Sequence, residues 1–176
     1  MTPFGRLTAL VLIAGVSVTL SGAWQVHAQI RADQAVESQG GQIEIKDVDV
    51  RMSDHGPVVL LKAEHRVLPI FVDATVAGSI LGALTGEKLR RPLSHDLMHS
   101  ILLGFGGKVT QIVITLKDST YYGALTVAMP NTTKVFDSRS SDAIALAIHF
   151  KAPILVGRDL WESAGKLVPE SKELSL

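Results

Sequence analysis

A short polar segment between an apolar strand and an apolar helix carries several groups that can do chemistry. It runs from Asp137 to Asp142 and holds two carboxylates, the guanidinium of Arg139 and the hydroxyls of Ser140 and Ser141. Because helix N-termini attract anions and carboxylates bind hard cations, such a corner can bind a phosphate or a metal. The same residues also suit a structural role, since either serine can cap the helix that follows.

A second polar group, at the predicted start of another helix, holds Arg91, His95 and Asp96. Hydrolysis of a phosphodiester needs an activated water, stabilisation of charge on the phosphate oxygens and a proton for the leaving oxygen. We expect Arg91 and Arg139 to bind phosphate, because a guanidinium can donate two parallel hydrogen bonds to its oxygens. We expect His95 to act as a general acid or base near neutral pH. The alternative is that His95 simply faces solvent.

Three carboxylates are candidate metal ligands: Asp96, Asp137 and Asp142. Carboxylate oxygens suit Mg²⁺ or Mn²⁺, and a bound ion of this kind can activate water. Together with His95, these three residues are the predicted catalytic set. We predict no organic cofactor.

The charged residues also have structural alternatives. Asp96 and Asp142 fit the role of ordinary first-turn acids, which complement the positive end of a helix dipole. Arg139 fits a buried salt bridge with Asp137 or Asp96. Residue type and spacing alone leave both interpretations open.

Composition narrows the class of protein. The 176 residues are 47% hydrophobic and 19% charged, so we expect a sizeable core, and 17 basic residues balance 17 acidic ones. This neutrality argues against a strongly basic protein that coats nucleic acid. The absence of cysteine excludes disulfides, thiolate metal sites and cysteine nucleophiles. Aromatic residues, at 5%, offer little for stacking on single strands.

The N-terminus has the pattern of a signal peptide. Arg6 precedes an apolar run at 7–20, and a segment rich in small residues ends at Ala28. We predict cleavage after Ala28, with Ala23 as the alternative, and an exported protein that is periplasmic or secreted. The run is too short for a comfortable membrane span, so we expect no membrane association of the mature form. Removing 1–28 takes away one arginine and no acid, which leaves a formal charge of −1.

Hydrophobic periodicity and turn residues predict alternating groups of strands and helices. The predicted strands are 43–50, 58–62, 66–72, 108–117, 120–129, 134–137 and 153–156. The predicted helices begin after Asp73 or Thr75, at Ser94, at Ser140 or Ser141, and at Arg158. The second helix carries an apolar stripe at Leu97, Met98, Ile101, Leu102 and Phe105.

The strands come in antiparallel groups with helices between them, which predicts a single α+β domain. We expect a mainly antiparallel sheet with about three to four helices packed against it. The predicted organisation is a signal peptide at 1–28, a flexible leader at 29–42, the domain at 43–165 and a disordered tail at 166–176.

Three segments in order, Val67 to Ile70, Arg90 to Asp96 and Asp137 to Ala147, resemble the bifunctional nuclease (BFN) domain family. Their sequences are Val-Leu-Pro-Ile, Arg-Arg-Pro-Leu-Ser-His-Asp and Asp-Ser-Arg-Ser-Ser-Asp-Ala-Ile-Ala-Leu-Ala. The resemblance covers about residues 43–160. It implies an α+β domain, often oligomeric, with DNase and RNase activity in some members.

The chain departs from the family pattern at two positions. The helix after the Leu-Pro-Ile strand usually carries a Glu where this chain has Val76, and Ser140 replaces a proline. Loss of the acid weakens any metal-dependent mechanism that uses it. The change to serine is mild, because serine is an acceptable helix cap.

Two functions are therefore open. The first is an exported nuclease that hydrolyses DNA and RNA, and the second is a non-catalytic anion-binding or oligomeric interaction module of the same fold. In both cases we expect a homo-oligomer. The bare helix face at Gly78 and Gly82 and the long hairpin at 108–129 both offer surfaces for pairing.

Overall fold

The computed structural model describes residues 41–87 and 90–167, which form nine strands and four helices. The strands are β1 (Gln42–Glu44), β2 (Asp47–Ser53), β3 (Gly56–Ala63), β4 (Arg66–Phe71), β5 (Lys108–Lys117), β6 (Thr120–Met129), β7 (Thr132–Arg139), β8 (Ile154–Gly157) and β9 (Lys166–Leu167). The helices are α1 (Ala74–Thr85), α2 (Ser94–Gly104), α3 (Ser140–Phe150) and α4 (Arg158–Ala164).

The strands form two sheets. The five-stranded sheet has the order β1-β8-β5-β6-β7 and is antiparallel except for the parallel pair β5 and β8. The four-stranded sheet has the order β2-β3-β4-β9 and is antiparallel throughout. The predicted α+β class with a mainly antiparallel arrangement and up to four helices is confirmed. None of the helices in the described part of the chain has the length and apolar character that a membrane crossing requires.

The segment predicted as one strand, 43–50, is two strands in different sheets. Ile45 donates its backbone N–H to Ile154 in the five-stranded sheet, at 2.9 Å, and Lys46 donates to Lys62 in the other sheet, also at 2.9 Å. The shift in apolar phase after Ile45 therefore marks a crossing between sheets. From sequence, the phase shift between Ile45 and Val48 predicts a bulge or bend within one strand, whereas in the structure the chain passes from one sheet to the other at this point.

The predicted ends of the domain fall only partly on described residues. The signal peptide at 1–28 and residues 29–40 of the leader lie outside them, as do residues 168–176 of the tail. Within the described part, Gln42 pairs with Gly157 as the first residue of β1. Lys166 and Leu167 pair with β4, so a short strand stands at the beginning of the predicted tail.

The hairpin turn and the cap of α1 agree with the sequence, whereas the caps of α2 and α3 do not. Asp118 and Ser119 form the hairpin turn with φ of 49° and 60°, and Asp73 caps α1 by accepting a 2.9 Å bond from the N–H of Val76. Neither Ser94 nor Ser140 caps its helix. The residues at those caps are Leu93 and Arg139, whose side chains make no capping hydrogen bond.

Both sheets and the helices share one hydrophobic core. Its most buried side chains come from both sheets, α1, α3 and α4, and include Leu61, Leu68, Ile80, Ile114, Ile144 and Trp161. Helix α3 lies on the five-stranded sheet, and α1 and α2 pack against α3. The first turn of α3 approaches β6 so closely that a Cβ added at Gly123 would lie 2.5 Å from Cβ of Ala143. This contact fixes where the polar start of α3 sits.

Candidate active site

Polar contacts join the N-terminal ends of α1, α2 and α3. Nε and Nη2 of Arg139 donate to the two carboxylate oxygens of Asp142 at 2.7 and 2.9 Å. Nε2 of His95, in the first turn of α2, lies 3.2 Å from Oδ1 of Asp142. Nη1 of Arg139 lies 3.7 Å from Oδ2 of Asp73, the cap of α1. We call these four residues, Asp73, His95, Arg139 and Asp142, the helix-start network.

One contact of this network, between Arg139 and Asp142, joins residues that are close in sequence. Arg139 is the last residue of β7 and Asp142 is three residues later, so the guanidinium folds back over the first turn of α3 and donates one hydrogen bond to each carboxylate oxygen. The Arg139 guanidinium lowers the pKa of Asp142, burial opposes this effect, and His95 adds to it. Asp142 is therefore ionised at neutral pH.

The contact of His95 with Asp142 depends on tertiary packing, because it joins α2 to α3. The side chain of His95 is 5% exposed, that of Asp142 is 26% exposed and that of Arg139 is 66% exposed. An ionised carboxylate accepts a hydrogen bond from Nε2–H, so Asp142 orients the His95 ring with Nε2 toward the carboxylate. The network thus runs from a buried ring to an exposed guanidinium.

These contacts correct two of the structural alternatives considered from sequence. Arg139 pairs with Asp142 and Asp73, and the predicted partners Asp137 and Asp96 are both wrong. His95 is buried, because α2 begins one residue earlier than an Ser94 cap implies and turns the ring toward α3. The i, i+3 spacing of Arg139 and Asp142 is a signal that sequence reasoning missed.

A pocket of about 440 Å³ lies between the same three helices. Its lining includes Gly78, Ser79, Gly82, Leu93, Asp96, His99, Ser100 and His149. The glycines place no side chain in this space, which is why α1 does not fill it. Polar groups of α2 and α3 face the opening that results.

Within this pocket, His149 lies close to polar side chains of both other helices. Its Nε2 lies 3.1 Å from Oγ of Ser79 and 3.9 Å from Oδ1 of Asp96, and its ring centroid lies 5.6 Å from that of His99. Burial lowers the pKa of His149, so the ring is neutral near pH 7 and its Nε2 can accept a hydrogen bond from the Ser79 hydroxyl. No sequence pattern predicted this pair, because α1 and α3 are brought together only by folding.

Asp96 stands between the network and the pocket. Its Oδ2 accepts a 2.7 Å bond from the backbone N–H of Leu93, which closes the first turn of α2, while Oδ1 faces His149. Asp96 follows His95 directly in the chain, so the first turn of α2 carries one residue of the helix-start network and one residue of the pocket lining. The role of a first-turn acid, predicted from sequence for Asp96, fits this contact.

The remaining predicted residues lie at the surface. Arg91 is exposed just before α2, and Asp137 is exposed on β7, where it pairs with Ala124 of β6. Within residues 41–87 and 90–167, neither side chain has an ion-pair partner. Arg91 is therefore free to meet a ligand, and Asp137 is not part of the helix-start network.

A bound metal ion needs several donor side chains that converge on one point. No group of three or more His, Asp or Glu side chains in the described ranges is arranged to hold an ion. Asp142 uses both oxygens on Arg139 and His95, and Asp96 uses one oxygen on a backbone N–H. The three predicted carboxylates therefore do not make a shared metal site in this arrangement of the described residues. Binding of Mg²⁺ or Mn²⁺ stays a prediction.

Comparison with known proteins finds a matching family and several related sequences. A sequence model described as the bifunctional nuclease domain matches residues 58–169. Two uncharacterized proteins from two strains of Mycobacterium tuberculosis are each 28% identical over 136 residues, which cover 76% of this chain and 81% of theirs. Bifunctional nuclease 1 and Bifunctional nuclease 2 of Arabidopsis thaliana are each 29% identical to this chain. The plant matches cover 68% and 69% of this chain but 39% of each plant protein.

Proposed function

The chain belongs to the bifunctional nuclease domain family, and from that premise we propose that it hydrolyses phosphodiester bonds in DNA and RNA. The observation that carries the proposal is the juxtaposition of His95, Asp142 and Arg139 inside the matched region. The names of the two plant relatives support a nuclease, although this chain spans well under half of each.

In the proposed reaction one water molecule adds to phosphorus and one P–O ester bond breaks. His95, held by Asp142 through Nε2, accepts a proton from that water at Nδ1 and returns it to the departing oxygen. No other reactant is consumed. Asp142 holds the ring in one tautomer and stabilises it when it becomes positively charged.

The two arginines bind the phosphate in this proposal. Arg139 is two-thirds exposed, so the outer edge of its guanidinium can donate to a phosphate oxygen while its inner edge holds Asp142. Arg91 lies three residues before α2 and has an unpaired guanidinium within the described part of the chain. The free N–H groups at the starts of α2 and α3 add to this attraction for an anion.

Arg91→Ala is the sharpest test, because it removes a proposed phosphate ligand without removing any described contact. The full chain, stripped of metal, is incubated with labelled single-stranded DNA and RNA, with and without Mg²⁺ or Mn²⁺. We expect the variant to lose at least tenfold in cleavage rate while its melting temperature stays unchanged. Arg51→Ala is the matched control, since Arg51 is exposed on β2 in the other sheet.

Three outcomes of this assay are informative. Cleavage lost in Arg91→Ala and kept in Arg51→Ala supports the proposed site. Equal cleavage by the wild type, Arg91→Ala and Asp142→Ala means that a contaminant or another site cuts, which rejects the residues proposed here. No cleavage by folded wild-type protein under any condition rejects the nuclease.

A non-catalytic anion-binding or interaction module is the second candidate function. The burial of His95 favours it, because a ring that is 5% exposed leaves little room for a water and a phosphate beside Nδ1. The bidentate Arg139–Asp142 pair favours it too, since a structural ion pair has the same geometry. Under this alternative the network holds three helix starts together and the pocket binds a small anion without cleaving it.

Export is a separate part of the proposal. The charged, apolar and small-residue order of 1–28 supports a signal peptide that is cleaved after Ala28, giving a periplasmic or secreted protein. N-terminal sequencing of the protein recovered from cells tests this directly. A first residue at Gln29 agrees with the proposal, a start at Trp24 agrees with the alternative cut, and an intact Met1 contradicts export by cleavage.

A further inference from the structure

The pocket between α1, α2 and α3 is large enough for a small organic ligand. Its volume of about 440 Å³ falls within the range of about 300–1,000 Å³ that ligand sites in proteins occupy. On the α1 side, Gly78, Gly82 and the C-cap residue Gly86 follow one another at intervals of four residues, so they lie along one side of the helix. Because glycine has no side chain, this wall is bare backbone, and a planar ring can lie directly against it.

The α2 side of the pocket carries an aromatic ring that is held in place by α3. The ring centroid of His99 lies 4.5 Å from that of Phe150, at an interplanar angle of 67°, and 5.6 Å from that of His149, at 32°. Nucleobases stack on the rings of histidine and other aromatic residues. A bare backbone wall together with a held imidazole therefore suits a flat heterocycle.

One hydrogen-bond acceptor in the pocket is left without a donor. Oδ2 of Asp96 accepts the backbone N–H of Leu93 at 2.7 Å, but Oδ1 lies 3.9 Å from Nε2 of His149, which is too far for a hydrogen bond. Nε2 of His149 is instead bonded to the Ser79 hydroxyl, at 3.1 Å. Within the described part of the chain, Oδ1 of Asp96 therefore has no donor, and it can accept N–H groups from a ligand.

The charges of the lining favour such a ligand over an anion. Asp96 and Glu87 are the acidic residues among the described lining, and none of the described lining residues is Lys or Arg. This set of charges disfavours the small anion considered under the alternative function, and it favours a group that donates hydrogen bonds.

The bases differ in what they offer to a carboxylate. Guanine presents two adjacent donors on one edge, N1–H and the N2 amino group, so each carboxylate oxygen can accept one of them. In adenine and cytosine the amino group stands beside a ring nitrogen that is itself an acceptor. In uracil and thymine the N3–H stands between two carbonyl oxygens. Guanine is therefore the base whose edge best complements Asp96.

The pocket adjoins the helix-start network. Asp96 directly follows His95 in α2, and His149 lies seven residues after Asp142 in α3, about 10 Å along the helix axis. A nucleotide has a similar distance between its phosphate and the far edge of its base. One nucleotide can therefore place its phosphate at the network and its base in the pocket.

We propose that this pocket binds a guanine base, with the carboxylate of Asp96 accepting hydrogen bonds from N1–H and the N2 amino group. The inference rests on the proposed function, which supplies a nucleic acid as the ligand. It adds a preference for guanine beside the phosphate that is cleaved.

The first test measures binding and needs no cleavage, because a mononucleotide contains no phosphodiester bond. Isothermal titration calorimetry of the full chain compares the monophosphates of guanosine, adenosine, cytidine and uridine, with inorganic phosphate as a fifth ligand. Guanosine monophosphate should bind at least roughly tenfold more tightly than each of the others, since hydrogen bonds to a carboxylate are strong.

Two variants test the position of the base. Outside its own stretch of helix, the nearest atom to a Cβ added at Gly78 is Cδ1 of Leu93 at 4.0 Å, so Gly78→Leu puts a side chain into open pocket space and should abolish binding of guanosine monophosphate. Gly104→Leu is the matched control, because Gly104 is a helical glycine outside the pocket lining. Asp96→Asn keeps an oxygen for the N–H of Leu93 but offers the pocket an amide donor, so it should remove the preference for guanine. Circular dichroism checks that each variant is folded.

The outcomes separate this proposal from the nuclease. Preferential binding of guanosine monophosphate that is lost in Gly78→Leu and kept in Gly104→Leu supports the pocket, even if no cleavage is found. Equal binding of the four mononucleotides, or binding no tighter than that of inorganic phosphate, overturns guanine recognition and leaves the nuclease to its own cleavage assay. A guanine preference that survives in both Gly78→Leu and Asp96→Asn places the base elsewhere and also overturns the proposal.

Discussion

Nε2 of His95 and Oδ1 of Asp142 lie 3.2 Å apart although 47 residues separate them in the chain. The contact joins the first turn of α2 to the first turn of α3, and Arg139 holds the same carboxylate from the solvent side. Because one carboxylate serves both a buried ring and an exposed cation, its removal affects the two partners differently.

Asp142→Ala should lower the free energy of unfolding by about 1–3 kcal/mol, as expected when a charged hydrogen-bond partner is removed. Most of this cost comes from His95, whose Nε2 is left buried without an acceptor, since the exposed Arg139 can be solvated by water. Urea unfolding monitored by circular dichroism measures the change. Asp137→Ala is the control and should stay within about 0.5 kcal/mol, because Asp137 is exposed. Equal losses in the two variants would contradict a role for the network in stability.

Acidification should destabilise the protein through His149. Burial lowers the pKa of this ring below its ordinary value of 6.5, and His99 and His95 act in the same direction while Asp96 opposes them. The unfolded state therefore binds the proton more tightly, and stability that is present above pH 6.5 is lost as the pH falls through the lower pKa of the folded state. Melting temperatures at pH 7.5 and 5.5 should differ less in His149→Gln than in the wild type. His65→Gln, at an exposed position, should leave the difference unchanged.

The two roles of Asp73 can be separated by paired substitutions. Asp73→Ala removes the acceptor for the N–H of Val76 and should cost about 1 kcal/mol of unfolding free energy. Asp73→Asn keeps that acceptor and loses only the 3.7 Å contact with Arg139, which is exposed, so it should be nearly neutral. Thermal and urea unfolding of both variants measure the difference. A loss in Asp73→Asn as large as in Asp73→Ala would show that charge, and not capping, is what α1 requires.

Gly123→Ala should destabilise the contact between β6 and α3. The new Cβ would lie 2.5 Å from Cβ of Ala143 and 3.3 Å from the carbonyl oxygen of Arg139, so the start of α3 has to shift. Overpacking of this kind costs about 1–3 kcal/mol. Gly104→Ala is the matched control, because no atom beyond its own stretch of helix lies within 4 Å of its added Cβ and alanine favours helix. Cleavage by Gly123→Ala should also fall if the helix-start network is catalytic.

Local chemistry explains which parts of the fold could be predicted from sequence. The hairpin around Asp118 and Ser119 and the α1 boundaries at Asp73 and Gly86 follow from residues whose backbone or side chain favours one geometry. Residue type identified His95, Arg139 and Asp142 as candidates, but it did not predict that they contact one another. Arg139 and Asp142 form a local pair, whereas His95 and Asp142 meet only because α2 and α3 pack together.

Periodicity has a different weakness, which α2 illustrates. The stripe that includes Leu97, Ile101 and Phe105 has the spacing of a buried face, yet the structure turns it to solvent and buries His95. Apolar spacing predicts that one face of a helix favours burial, but it does not predict which surface that face packs against. A face that packs into the domain's own core and a face left at its surface can therefore share one sequence pattern. The pocket was missed for a related reason, since Ser79 and His149 belong to helices that are adjacent only in space.

The crossing between sheets at Ile45 and Lys46 should couple the unfolding of one sheet to that of the other. These adjacent residues donate one hydrogen bond to each sheet, to Ile154 and to Lys62. Neither sheet can separate from the core without straining a peptide unit that the other sheet also holds. Amide hydrogen exchange in β3 and β8 should therefore slow and accelerate together as the protein is stabilised or destabilised, because the two sheets open as one cooperative unit.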